Sequence, residues 1–228
     1  MKRQQLFIGL GLIAVVLLGT FYYAFFRTPE GASGDISEVM VEVEANAAEG
    51  ATVFTIDPTQ TVASFTIAEV LRGEDYVVVG TTDQVGGQVV FDPNNLASAQ
   101  IGEIVINART FITDSDMRNN AINNRILFTD EFEFVRFQPT AINGLPEGIQ
   151  VGDSVDVEIM GDLTIMDVTK STSFSATLTY GSTDQLSGIA TTTILYGDYG
   201  VEVPLTPSVS FVSDELTMDL DFVATASQ

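Results

Sequence analysis

The chain of 228 residues carries 31 acidic against 9 basic side chains, a net charge of −22, and has neither cysteine nor histidine. Disulfides, zinc sites of the Cys/His type and any nucleophile–histidine triad are therefore ruled out. So acidic a molecule repels nucleic acid and anionic headgroups, and nucleic-acid binding is excluded with them.

The basic start "MKRQQ" leads into an uncharged apolar run from Leu6 to Phe26. As a helix this run reaches ~31 Å at ~1.5 Å per residue, about the thickness of bilayer hydrocarbon. A cleaved signal peptide is the competing reading. The run closes on bulky "FYYAFF", where a cleavage site requires small residues, and aromatics suit a membrane interface. An uncleaved anchor over residues 1–27 is the favoured reading. Lys2 and Arg3 precede the run and every acidic residue follows it, which predicts a cytoplasmic N-terminus and a domain on the periplasmic or extracellular side. Beyond Arg27 the chain holds six basic and 31 acidic residues, a balance of −25.

Residues 28–51, "TPEGASGDISEVMVEVEANAAEGA", are rich in Gly, Ala and Glu, and they predict a flexible linker. Within it "DISEVMVEVEA" is compatible with a short helix or a short strand. The folded domain is expected over residues 52–228.

From Val53 onward branched and aromatic residues alternate with polar ones. In "ELTMDLDFVA" the residues Leu216, Met218, Leu220 and Phe222 share one face; in "SFSATLTY" Phe174, Ala176, Leu178 and Tyr180 do. A period of two means sheet with one dry face. Strands are predicted near 53–57, 61–71, 76–83, 87–92, 101–108, 133–143, 153–165, 171–181, 186–195, 208–212 and 216–224. The clusters "RGED", "VGGQ", "INGLPEG" and "GSTDQLSG" are the predicted turns. The fold class that follows is all-β, an antiparallel barrel or a sandwich.

One phrase interrupts the strands. "MRNNAINNRILF", residues 117–128, has four asparagines and two arginines. Asp114 to Asp116 supply N-caps for a short helix ending near Leu127. At ~100° per residue Arg118 and Arg125 come within about 20° of each other, with the asparagines on the opposite half. This predicts asparagines toward water and arginines toward the body. The arginines then either meet a ligand or merely pair with acidic neighbours.

Six phrases in order, "FTIDPTQTVASFTI", "VVGTTDQVGGQVVFDP", "IGEIVINARTFITDSDMRNNAINNRIL", "VRFQPTAI", "MGDLTIMDVTKSTSF" and "YGDYGV" followed by "LTMDLDFVA", resemble the YceI-like, polyisoprenoid-binding family. The resemblance spans roughly residues 53 to 225. It implies a lipocalin-like antiparallel β-barrel whose apolar bore holds a long isoprenoid, with no enzymatic activity. An Arg-Asp-x-His-Leu-Arg-like phrase usual in the family falls here on Arg118, Asn119, Asn120, Ala121, Ile122 and Asn123. Only its first arginine is kept, and Arg125 offers a replacement charge two places on. The Gly161, Leu163, Thr164 and Val168, Thr169, Lys170 frame reads as a β-turn held by threonine hydrogen bonds.

Strand parity and the resemblance together nominate a ligand-binding set. Its inward apolar members are Phe65, Ile67, Phe91, Ile104, Ile106, Phe137, Leu163, Ile165, Phe174 and Leu178, with Val89 beside them. Ile122 joins from the helix, and Arg118 and Arg125 are placed at the pore mouth toward a headgroup. No cofactor is expected other than an isoprenoid or quinone as bound ligand. The expected partners are an apolar lipid and, through the N-terminal helix, the membrane. Alternation by itself allows a side-chain-filled core equally well, and a structural or protein-interaction domain is the alternative function. Acid–base catalysis by Asp114 and Asp116 or Asp130 and Glu131, and calcium at "TDSD", have weak support.

Overall fold

The computed structural model describes residues 33, 34, 36–40 and 50–227; the expected membrane span and most of the expected linker lie outside them. No helix among the described residues is long and apolar enough to cross a membrane.

Thirteen strands join in one antiparallel sheet. β1 (Thr52–Ile56) and β2 (Val62–Leu71) are two parts of one stave, separated by a 3-10 turn at Pro58–Gln60 that the Asp57 carboxylate caps. β3 (Glu74–Thr82), β4 (Val85–Gly86) and β5 (Gln88–Asp92) return alongside, and β6 (Asn95–Ile101) and β7 (Ile104–Asn107) come next. The meander continues through β8 (Phe134–Asn143), β9 (Ser154–Ile165), β10 (Val168–Ser182) and β11 (Gln185–Leu195) to β12 (Val209–Val212) and β13 (Glu215–Ala226). β13 pairs β11 on one edge and both β1 and β2 on the other. The last strand thus lies beside the first, and the sheet curls round on itself in the predicted lipocalin-like manner. Curling buries one face of nearly every strand and leaves fewer unpaired edges.

Local chemistry explains the corners. The β2–β3 turn places Arg72 and Gly73 at φ 54° and 87°, the pair of positive values that a tight hairpin requires. The predicted turn "VGGQ" is instead extended chain. Gly86 belongs to β4, Gly87 is the single residue between β4 and β5, and Ile56 donates its N–H to the Gly87 carbonyl at 3.0 Å. These glycines serve close packing rather than reversal. A Cβ on Gly86 would come within 2.5 Å of Met40 Sδ, and one on Gly87 would meet the Ile104 side chain.

Part of the expected linker 28–51 is described, and it lies against the domain with a short helix where "DISEVMVEVEA" allowed one. α1 (Ile36–Val39) packs on the outside of β4 and β7 with Ile36 buried. Ser33 Oγ and Gly34 N–H both donate to Glu133 Oε1 at 2.8 Å. Burial pulls the Glu133 carboxyl upward, but hydrogen bonds from Ser33, Gly34 and Asn107 and the nearby Arg109 outweigh it, leaving the group below the ordinary value of 4.5. β4 and β6 were not predicted: "NLASAQI" of β6 has almost no β-branched content, so its neighbours dictate its conformation.

Between β7 and β8 the chain crosses over through a 3-10 turn at Ala108–Thr110, α2 (Asp116–Ala121) and a π-helical turn at Ile122–Ile126. The Ser115 hydroxyl caps α2 by accepting from the Arg118 N–H.

Candidate functional site

The curled sheet surrounds a cavity of about 540 Å3, within the roughly 300–1,000 Å3 usual for small-molecule sites. Its deep walls are Val89, Ile104, Phe137, Leu163, Phe174, Leu186 and Phe222. Alternation along the strands puts these side chains on the inner face. Ala63 and Ala190 lie on the same face and line the space, so small side chains where large ones would fit help keep the bore open.

One end of the bore is shut. Phe54 and Phe91 stack at 5.0 Å between ring centroids, and Tyr180 meets them edge-on at 6.4 and 5.3 Å. Phe54 is wholly buried. This aromatic floor lies one inward position beyond Ile56 and Val89, which still line the cavity.

The opposite end is polar. Arg118 reaches in from α2 and pairs with Glu69 on β2 at 3.0 Å and with Asp114, four residues before it. Tyr76 on β3 donates its hydroxyl to Asp114 at 2.6 Å, and the Arg118 guanidinium carbon lies 5.9 Å from the Tyr76 ring centroid. The Tyr76 hydrogen bond holds the Asp114 carboxyl below the ordinary aspartate value, with burial opposing it and Arg118 adding to it. The same bond raises the Tyr76 hydroxyl. Glu69 is 8% exposed and lines the cavity. Arg72, exposed at the β2–β3 turn, also lines this end, so two guanidinium groups stand against the Glu69 and Asp114 carboxyls and the mouth has no surplus positive charge.

Of the thirteen nominated residues, eleven line the cavity: Phe65, Ile67, Ile104, Ile106, Arg118, Ile122, Phe137, Leu163, Ile165, Phe174 and Leu178. Phe91 lies in the floor. Arg125 is exposed and outside the lining. The expected alignment with Arg118 assumed α-helical pitch throughout, whereas Leu127 N–H bonds the Ile122 carbonyl at 2.9 Å across a five-residue turn. That wider turn rotates Arg125 off the Arg118 side.

The asparagines also depart from expectation, since all four are half-buried. Asn119 Oδ1 accepts from the Thr113 N–H at 2.8 Å and from its hydroxyl at 2.7 Å. Asn123 donates to the Arg109 carbonyl and accepts from Thr129. Asn124 donates to the Asn120 carbonyl. Their amides satisfy backbone that the irregular crossover leaves unpaired.

Many lining residues were not nominated, and two groups of them show why. Glu69 shares the inward parity of Phe65 and Ile67, and a carboxylate in phase with an apolar face was the available signal. Val201, Val203 and Pro204 line the mouth from the β11–β12 connection, which has no periodicity to read. The threonine-rich turn is as expected: Thr164 and Thr169 hydroxyls bond at 2.8 Å across the β9–β10 corner. Among the described residues no cluster of three or more acidic groups is arranged to hold a metal ion.

The YceI-like domain profile matches residues 54–224. The chain belongs to the YceI-like family. Three solved structures share the YceI-like fold with it. A polyisoprenoid binding domain from Saccharophagus degradans, implicated in plant cell wall breakdown, is 14% identical with a TM-score of 0.61, over 77% of this chain and 99% of that one. Burkholderia cenocepacia BcnA is 19% identical with a TM-score of 0.60, over 75% and 99%. The Campylobacter jejuni YceI protein is 15% identical with a TM-score of 0.50, over 63% and 82%. At these identities the likeness is one of fold. No curated protein matches the chain in sequence.

Proposed function

We propose that this YceI-like protein holds a long apolar lipid with an uncharged head, isoprenoid or quinone-like, inside the barrel. We further propose that Leu6–Phe26 anchors it in a membrane, N-terminus in the cytoplasm and domain on the periplasmic or extracellular side. The observation that carries the lipid reading is the cavity itself, apolar along its depth, blind at the aromatic floor and charge-balanced at its mouth. Apolar ligand surface entering it gains ~25 cal/mol per Å2, offset by the cost of ordering the chain, so a long tail supplies affinity without many polar contacts. Family membership and the polyisoprenoid binding ascribed to the Saccharophagus degradans domain support the ligand class.

The mouth selects the head. An anionic diphosphate engaging Arg118 must compete with Glu69 and Asp114, and displacing Arg118 strands a buried Glu69 carboxyl at a cost of ~1–3 kcal/mol. A hydroxyl or quinone carbonyl imposes no such exchange. The test is mass spectrometry of an organic extract of the purified full chain. A co-purifying lipid near one per protein, with a long apolar tail, is expected. An empty protein that also takes up no long-chain isoprenoid would refute the reading and leave the fold as a structural or protein-interaction module.

A further inference from the structure

We infer that the mouth end of the domain docks on the bilayer surface, apolar rim first, so that lipid passes between bilayer and cavity without crossing water. The inference rests on the anchor and lipid readings proposed above. Three observations bear on it.

The first is the rim. Met117 lines the cavity yet is 54% exposed, and Leu205 and Phe211, whose chain neighbours line the mouth, are 62% and 54% exposed. These side chains come from α2, the β11–β12 connection and β12, three separate segments. Exposed large apolar side chains gathered around an opening mark an interaction surface.

The second is where the chain enters the domain. Ser33 and Gly34 are held by Glu133, and Asn107 lies against the same Ser33. Asn107 and Glu133 bracket the crossover that carries Arg118, so the chain joins the domain at the end of the sheet that bears the mouth. Only residues 27–32 separate Phe26 from Ser33, and seven extended residue steps reach no more than about 25 Å. With Leu6–Phe26 in the bilayer, the mouth end is the end kept close to it.

The third is charge. A domain with a balance of −25 gains nothing from anionic headgroups, so the contact has to be apolar and its local concentration supplied by the tether. Like charge disfavours an acidic protein partner, while the apolar rim and the short tether favour a lipid surface.

The chain contains no tryptophan, which makes a single introduced indole a clean reporter. Full chains bearing Leu205→Trp or Phe211→Trp, and Val151→Trp at the floor end, are reconstituted in phosphatidylcholine vesicles with brominated acyl chains. Emission from the two rim positions is expected to shift to the blue and be quenched, while Val151→Trp, 54% exposed in the parent chain, stays unquenched. Two rim positions protect the test against one variant misfolding, checked by circular dichroism. Vesicle-bound protein with all three reporters unquenched, or all three quenched alike, would overturn the docking and leave the anchor standing. Protein that fails to float with the vesicles would overturn the anchor and the docking together. Quenching at the rim in a protein that carries and binds no lipid would leave the docking standing and remove only the cavity ligand.

Discussion

The two ends of this barrel are built on opposite rules. At the floor, Phe54, Phe91 and Tyr180 meet ring to ring and nothing polar intervenes between their rings. At the mouth, Glu69, Arg118, Asp114 and Tyr76 form a chain of ionic and hydrogen-bonded contacts beside exposed apolar side chains. The floor spends its inward positions on packing and so contributes stability. The mouth leaves its inward positions partly open, which costs packing and creates a way in. A lining residue can therefore be changed with less damage to folding than a floor residue of similar size, and this difference is open to measurement.

The largest effect belongs to the floor. Phe54→Ala removes a wholly buried ring from the stack and is expected to lower stability by ~3–5 kcal/mol in chemical denaturation. A loss below about 1 kcal/mol would show that the floor is not where stability resides. At the mouth, Arg118→Met leaves Glu69 buried and without its guanidinium, an expected cost of ~1–3 kcal/mol. Adding Glu69→Gln should recover much of that loss, because the uncompensated charge and not the absent pair carries the penalty. A double variant no more stable than Arg118→Met would break that account of the mouth.

Between the two ends, Ala190→Phe introduces bulk into the bore at a lining position. Lipid affinity is expected to fall about tenfold or more, which is ~1.4 kcal/mol, with the thermal midpoint little changed. A variant that keeps full affinity would place the ligand elsewhere. The smallest effect concerns Ser33–Met40. Glu133 titrates below 4.5 in the folded protein, so its contribution is fully present above that value and disappears as pH falls through the lowered one. The Ile36 methyl resonances should shift toward solvent-exposed values on acidification, and Glu133→Gln should shift them already at neutral pH. Resonances indifferent to both would detach Glu133 from that role.

The antiparallel strands and their dry face were legible because alternation leaves a direct trace, whereas their curling into a barrel was implied by the family resemblance. Leu216, Met218, Leu220 and Phe222 were assigned to one face from spacing, and all four line the cavity. The same parity rule reached Phe91, but alternation reports only facing, not depth, and cannot separate a wall from a floor. The crossover was harder. Its position and its capping region were readable from "TDSD", whereas the π turn follows from tertiary contacts and has no local signal, so Arg125 was misplaced and the asparagines were turned the wrong way. Helical spacing assumes one pitch, and a single wide turn is enough to void it. Arg118, one turn earlier, was unaffected.

The account's central claim is that an apolar bore behind a charge-balanced mouth holds a lipid with an uncharged head. It is tested most directly by titrating the delipidated full chain with a long-chain polyprenol and with the diphosphate of the same chain length, at matched ionic strength. The polyprenol should bind the tighter of the two, and replacing Glu69 with glutamine should narrow the gap by easing the exchange at Arg118. Tighter binding of the diphosphate to the unaltered protein would contradict the claim.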